Sequence, residues 1–144
     1  MKIYLGSDHG GFDLKQELLK SWSNLTTLDS FGSEKPIIDD LGSYTNESVN
    51  YPDLAEKICL SLINDFKSFP EHVAHEDAFA YKSVGILVCG SGQGMAMKAN
   101  KYPGIRAALC WNEEITRLSR EHNNANILCL PGRYINSATA LQMV

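Results

Sequence analysis

"GILVCGSGQGMAMKAN", residues 85–100, sets an apolar run ending in Cys89 directly before three glycines in five positions, Gly90, Gly92 and Gly94. With Val84 ahead of it the run is continuously apolar, as a strand covered on both faces is. Met95 to Lys101 can then form a short helix behind it. Strand, glycine turn and helix make one unit of a β-α repeat. The glycines let the backbone approach a ligand, and the amides of "GSGQG" make a donor-lined pocket suited to an oxyanion or a phosphate. A thiol on the rim of such a pocket is placed for chemistry.

The same alternation recurs on both sides of this stretch. "KIYLG" (2–6) is a strand, and after Gly10 and Gly11 the residues Phe12, Leu14, Leu18, Leu19 and Trp22 recur near helical spacing. "IIDDLG" (37–42) is a second strand, followed from Pro52 by a helix marked by Leu54, Ala55, Ile58 and Leu62, with Pro suited to its first turn. "GIRAALC" (104–110) is a fourth strand. In "NEEITRLSREHNNA" (112–125), Asn112 is a cap and the first turn is acidic, while Ile115, Leu118 and Ser119 share a face. "NILCLPG" (126–132) is a fifth strand, and "NSATALQMV" (136–144) opens a last helix that the chain end cuts short. The sum predicts one α/β domain over 1–144, a Rossmann-like three-layer α/β/α sandwich with a five-stranded parallel sheet. Ligands are expected outside the carboxyl ends of the strands. Two longer polar stretches, near 23–36 and 67–82, fit no unit of the repeat and are expected to be surface insertions.

Bulk properties narrow the function. A chain of 144 residues can bury about two-thirds of its unfolded surface in a single core. The formal charge of −4, the pI near 5.5 and the scattered Lys and Arg argue against a nucleic-acid or membrane-surface partner, so an anionic ligand must be held locally. Met1 leads straight into a strand without a secretory leader, and a cytosolic protein is expected. Cys59, Cys89, Cys110 and Cys129 form no C-x-x-C pair, so free thiols are expected, with Cys59, Cys110 and Cys129 as small buried hydrophobes. "GSGQGM" lacks the third glycine of the dinucleotide fingerprint and follows the third strand, which disfavours a nicotinamide site. His72 and His75, on a polar insertion without further spaced ligands, are expected to be solvated rather than metal-bound.

Strand ends carry the remaining signal: "SDHGGF" after the first, "CGSGQG" after the third and "PGR" after the fifth. "EHNN", at the end of the fourth helix, falls on the opposite edge. Read singly, His9 beside Asp8 is also a turn cap, and His122 a cation favoured at a helix C-terminus. Taken together, "GSDHGGFDLK", "YPD", "GILVCGSGQGMAMKANKYPGIRAALC" and "SREHNNANILCLPGR" resemble the ribose-5-phosphate isomerase B family, which also includes galactose-6-phosphate isomerase subunits and allose-6-phosphate isomerases. The resemblance covers nearly all of the chain outside the two insertions.

That resemblance implies an aldose–ketose isomerase acting on a sugar phosphate through an enediolate, without metal or cofactor. Cys89 matches the family's catalytic thiol, which as thiolate takes the carbon-bound proton; where some members use a glutamate slightly downstream, this chain has Met95. The amides of Gly90, Ser91, Gly92, Gln93 and Gly94 are implied to stabilise the enediolate oxygen, with Asn100 ordering the loop and Ser91 Oγ relaying a proton between the two substrate oxygens. His122 matches the residue that opens the sugar ring. Asp8, His9, Asn123 and Arg133 match sugar and phosphate contacts, Arg133 suiting bidentate phosphate binding.

A homodimer with shared sites, or a dimer of such dimers, is implied, because "EHN" reaches a site whose cysteine lies on the other subunit. The family continues into a segment carrying further phosphate-binding arginines, whereas this sequence stops at Val144, so a shortened C-terminus with weakened phosphate affinity or dimer stability is expected. Ribose 5-phosphate and ribulose 5-phosphate are the leading substrates. A hexose 6-phosphate isomerase and a non-catalytic sugar-phosphate-binding protein are the alternatives, the latter disfavoured by the retained Cys89 and His122.

Overall fold

The structure is a computed structural model and describes residues 1–24, 36–67 and 83–144. Among the described residues its elements alternate: β1 (Lys2–Ser7), α1 (Phe12–Asn24), β2 (Ile37–Asp40), α2 (Tyr51–Lys67), β3 (Ser83–Cys89), α3 (Gln93–Ala99), β4 (Ala107–Leu109), α4 (Glu113–Glu121), β5 (Ile127–Pro131) and α5 (Ser137–Met143). The strands form one parallel sheet in the order β2-β1-β3-β5-β4. Chain order reverses between β1 and β3, which makes the crevice at their carboxyl ends the place where an open α/β sheet receives its ligand. Residues 25–35 and 68–82, the greater part of the two polar insertions and including His72 and His75, lie outside the described residues.

Side-chain alternation sorts the central strands onto two cores. Ile3, Leu5, Ile86, Val88 and Leu130 face Leu14, Leu18 and Trp22 of α1 and Ala140 and Met143 of α5. Tyr4, Leu87, Cys89, Ile127 and Cys129 face Leu54, Ile58, Cys59 and Leu62 of α2 and Met95, Ala96 and Ala99 of α3. The unbroken apolar run of β3 follows from this, since both of its faces are covered.

Element boundaries differ from the sequence expectation in two informative places. The fourth strand shrinks to Ala107–Leu109, because it is the sheet edge and the backbone of Arg106 is taken by residue 126: the Asn126 Oδ1 accepts from Arg106 N at 2.9 Å. The helix after the glycine loop begins two residues early, at Gln93, because Gly92 takes a left-handed conformation (φ 75°) as its N-cap. The cap of α4 is as expected, with Asn112 Oδ1 accepting from Ile115 N at 2.9 Å. No residue of α4 is fully buried, so its start depends on that cap. Asn112→Ala should therefore cost about 1 kcal/mol in thermal unfolding, and an unchanged midpoint would show that the cap is dispensable.

One buried group departs from ordinary helix patterning. Lys15, on α1, is fully buried, and its Nζ donates to both carboxylate oxygens of Asp40 (2.7 and 2.8 Å) and to the Ser43 carbonyl (2.7 Å). The segment it grips is tied to the end of β1, since Ser7 N donates to Gly42 O and Ser43 N to Ser7 O, both at 2.7 Å. Lys15 thus joins α1, the end of β2 and the strand that leads into Asp8.

Candidate active site

Three loops converge at the carboxyl edge of the sheet, and backbone contacts lock them together. Asp8 N donates to Val88 O at 3.1 Å, Gly132 N to Cys89 O at 2.9 Å and Arg133 N to Gly90 O at 3.1 Å. The loops after β1, β3 and β5 therefore share one floor. Glycine is required where they touch: a Cβ on Gly11 would lie 2.3 Å from Val88 O, a clash with backbone that no rotamer change relieves. Asp8 is buried, and its Oδ1 accepts from Gly11 N at 3.0 Å, which orders the turn into α1 while His9 stays exposed.

Cys89 closes β3 on this floor, only 5 % exposed. The Arg133 side chain crosses the glycine loop beside it: a Cβ on Gly90 would be 3.4 Å from Arg133 Nε and 3.5 Å from Cζ. Ser91 is exposed, and its Oγ accepts weakly from Gln93 N at 3.4 Å. The first amides of α3 have no acceptor within the helix and border the same crevice. Met95 is fully buried in the core beneath the loop, so the loop is anchored there by packing.

Asp8, His9, Cys89, the Gly90–Gly94 loop and Arg133 are thus brought together within one chain. His122, Asn123 and Asn100 are not. α4 begins beyond the carboxyl end of β4 and ends ahead of the amino end of β5, which puts its C-cap His122 and the following Asn123 at the far edge of the sheet. Both are exposed. Asn100 also lies at that far edge. Its side chain makes a two-point bond to Ala107, Nδ2 to O at 2.8 Å and Oδ1 from N at 2.9 Å. As the C-cap of α3, it ties the end of the helix behind the glycine loop to the entry into β4.

Sequence reasoning missed the aromatic neighbour of the loop. A Cβ on Gly94 would sit 2.9 Å from Tyr51 Cζ, so the Tyr51 ring stands against the glycine loop from the start of α2. The available signal was "YPD" itself, an aromatic held just before a helix-starting proline.

All four cysteines are free and buried. Burial pushes the Cys59 thiol up to about 12, and burial followed by the neighbouring Cys89, Cys110 and Cys59 holds Cys129 well above its ordinary value. Both are therefore neutral thiols near pH 7 and chemically inert. Among the described residues no group of three or more His, Cys, Asp or Glu is placed to hold a metal ion, and no helix is long and apolar enough to cross a membrane.

Comparison with known proteins gives a consistent result. A family model described as ribose/galactose isomerase matches residues 3–144. Ribose-5-phosphate isomerase B of Mycolicibacterium paratuberculosis is 36 % identical over 145 residues, spanning 100 % of this chain and 76 % of that protein. Among solved structures, the ribose 5-phosphate isomerase of Thermotoga maritima superposes with a TM-score of 0.77 at 39 % identity, covering 99 % of this chain and 81 % of that one. Ribose-5-phosphate isomerase B of Mycoplasma genitalium, solved with bound ribulose 5-phosphate, superposes with a TM-score of 0.74 at 30 % identity, covering 99 % and 79 %.

Proposed function

The chain belongs to the ribose/galactose isomerase family, and from that membership we propose that it interconverts ribose 5-phosphate and ribulose 5-phosphate with Cys89 as the base. The observation that carries this reading is the position of Cys89, on the floor of three interlocked loops at the sheet's switch point, with Arg133 crossing beside it.

The Cys89 thiolate removes the proton from C2 of the open-chain aldose, and the electron pair moves through the new C1–C2 double bond onto O1. The amides of the Gly90–Gly94 loop face that developing oxyanion and stabilise it as charge grows. Ser91 Oγ relays a proton from O2 to O1, and Cys89 returns its proton to C1, completing a transfer in which nothing is oxidised overall. Arg133, Asp8 and His9 hold the phosphate and hydroxyls of the substrate. Met95 has no titrating group, which leaves Cys89 as the base of this loop.

Ring opening needs an acid at the ring oxygen, the role we assign to His122 of a second copy of the chain. Its place on the opposite sheet edge from Cys89 supports a site shared across a homodimer, with Asn123 of the same segment contacting substrate. Two variants test this together. Cys89→Ser and His122→Ala should each be nearly inactive, yet mixed and refolded they should regain about a quarter of wild-type turnover of ribose 5-phosphate, since half the dimers are mixed and each then holds one intact site. Exchange without recovery would confine the site to one subunit. Turnover of hexose 6-phosphates in preference to ribose 5-phosphate by the wild type would overturn the pentose assignment.

A further inference from the structure

The segment that carries His122 and Asn123 is exposed, and backbone bonds hold its flanks: His122 N donates to Leu118 O at 2.9 Å and Asn124 N to Arg120 O at 3.0 Å. Glu121, His122 and Asn123 are all exposed, and none belongs to either core. Asn124 follows in a left-handed conformation (φ 48°), which turns the chain sharply back toward β5. An exposed segment of this kind keeps its geometry through hydrogen bonds, and among the described residues a side chain from another element adds one to it, that of Arg106. Its Nε donates to the Asn123 carbonyl at 2.5 Å.

Arg106 is itself fixed independently of that bond. Asn126, 1 % exposed, accepts from Arg106 N through Oδ1 (2.9 Å) and donates through Nδ2 to Gly104 O (2.8 Å). Asn126 N and Ile127 N both donate to Arg106 O, at 3.0 and 3.3 Å. A buried asparagine thus fixes the backbone of residue 106 to the start of β5, and only the guanidinium reaches out to the exposed segment. Arg106 and Asn123 also line one open cavity with Asn100 and Ser119, so open space borders the contact between them.

We propose that Arg106 is the positioning residue for His122 and Asn123: through the Asn123 carbonyl it holds that segment in the geometry that completes the site of a second copy of the chain. The inference rests on the shared-site reading above. Arg106 acts on the chain that lends His122 and is without effect on the chain that lends Cys89. Misplacing a catalytic group by about 1 Å costs on the order of a hundredfold, so a slackened segment should cost about ten- to a hundredfold in turnover.

The asymmetry supplies the test, using Arg106→Met, which keeps the aliphatic stem and all the backbone bonds to Asn126. It is introduced into one or the other member of the complementing pair. In Cys89→Ser/Arg106→Met mixed with His122→Ala, the intact site receives its His122 from the altered chain, and the recovered turnover should fall about ten- to a hundredfold. In Cys89→Ser mixed with His122→Ala/Arg106→Met, the altered chain lends only Cys89, and recovery should equal that of the parent pair. Arg106→Gln, whose amide can still donate, should restore part of the loss in the first arrangement. Equal recovery in both arrangements, or an equal fall in both, would overturn the inference while leaving the shared site standing. Absence of recovery in the parent pair would overturn the shared site and the inference with it.

Discussion

Cys89→Ser should lower the turnover of ribose 5-phosphate by about two to four orders of magnitude, the contribution of a positioned general base, because a serine hydroxyl does not ionise near neutral pH. Its stability should stay within about 1 kcal/mol of wild type, since oxygen replaces sulfur in the same rotamer at the end of β3 and the backbone bond from Gly132 N to Cys89 O is untouched. The comparison that gives this result meaning is Cys59→Ala. Cys59 is fully buried with its thiol pushed up to about 12, so its loss should cost about 1 kcal/mol of packing and nothing in turnover. Steady-state rates and thermal unfolding on both variants decide the matter. Wild-type turnover in Cys89→Ser would remove Cys89 as the base, and a folded but inactive Cys59→Ala would show that the division of the thiols is wrong.

The largest loss of stability should come from Lys15→Met. The substitution keeps the aliphatic volume but strands the Asp40 carboxylate and the Ser43 carbonyl, which Lys15 holds at 2.7–2.8 Å. Breaking a buried pair by removing one partner costs about 3–5 kcal/mol; because the Asp40 side chain keeps 24 % of its exposure and also accepts from Gly42 N, the cost is shifted below that range, to about 2–4 kcal/mol. That corresponds to a fall of roughly 5–15 °C in the unfolding midpoint. Removing both charges, Lys15→Met with Asp40→Leu, should regain part of the loss, as an apolar pair leaves no charge stranded. KM should rise in the single variant, since the gripped segment is hydrogen-bonded to Ser7, next to Asp8. An unchanged midpoint in Lys15→Met would mean that water replaces the ammonium at no cost and that the clamp has no structural weight.

What the sequence determined by itself is what depends on neighbours along the chain. The apolar run before Gly90 specifies β3, and the apolar spacing after Gly11 specifies α1, because residue period follows directly from local backbone geometry. Asn112 caps α4 through a bond only three residues away. The direction of a helix between parallel strands likewise assigns "CGSGQG" and "EHNN" to opposite sheet edges without any coordinates. What only the tertiary structure decided depends on groups far apart in the chain. The order β2-β1-β3-β5-β4 is such a case, since pairing rests on contacts between strands and not on the residues within one. It makes β4 an edge, which is why that strand is shorter than its apolar run. Lys15 has the pattern of an exposed helical lysine, and its burial follows from the approach of Asp40 and Ser43 across the fold. Asn100 follows the glycine-loop helix in sequence yet serves Ala107, and Tyr51 reaches Gly94 from another helix, because hydrogen bonds and ring contacts are settled by separation in space, over a few ångströms, whatever the separation along the chain.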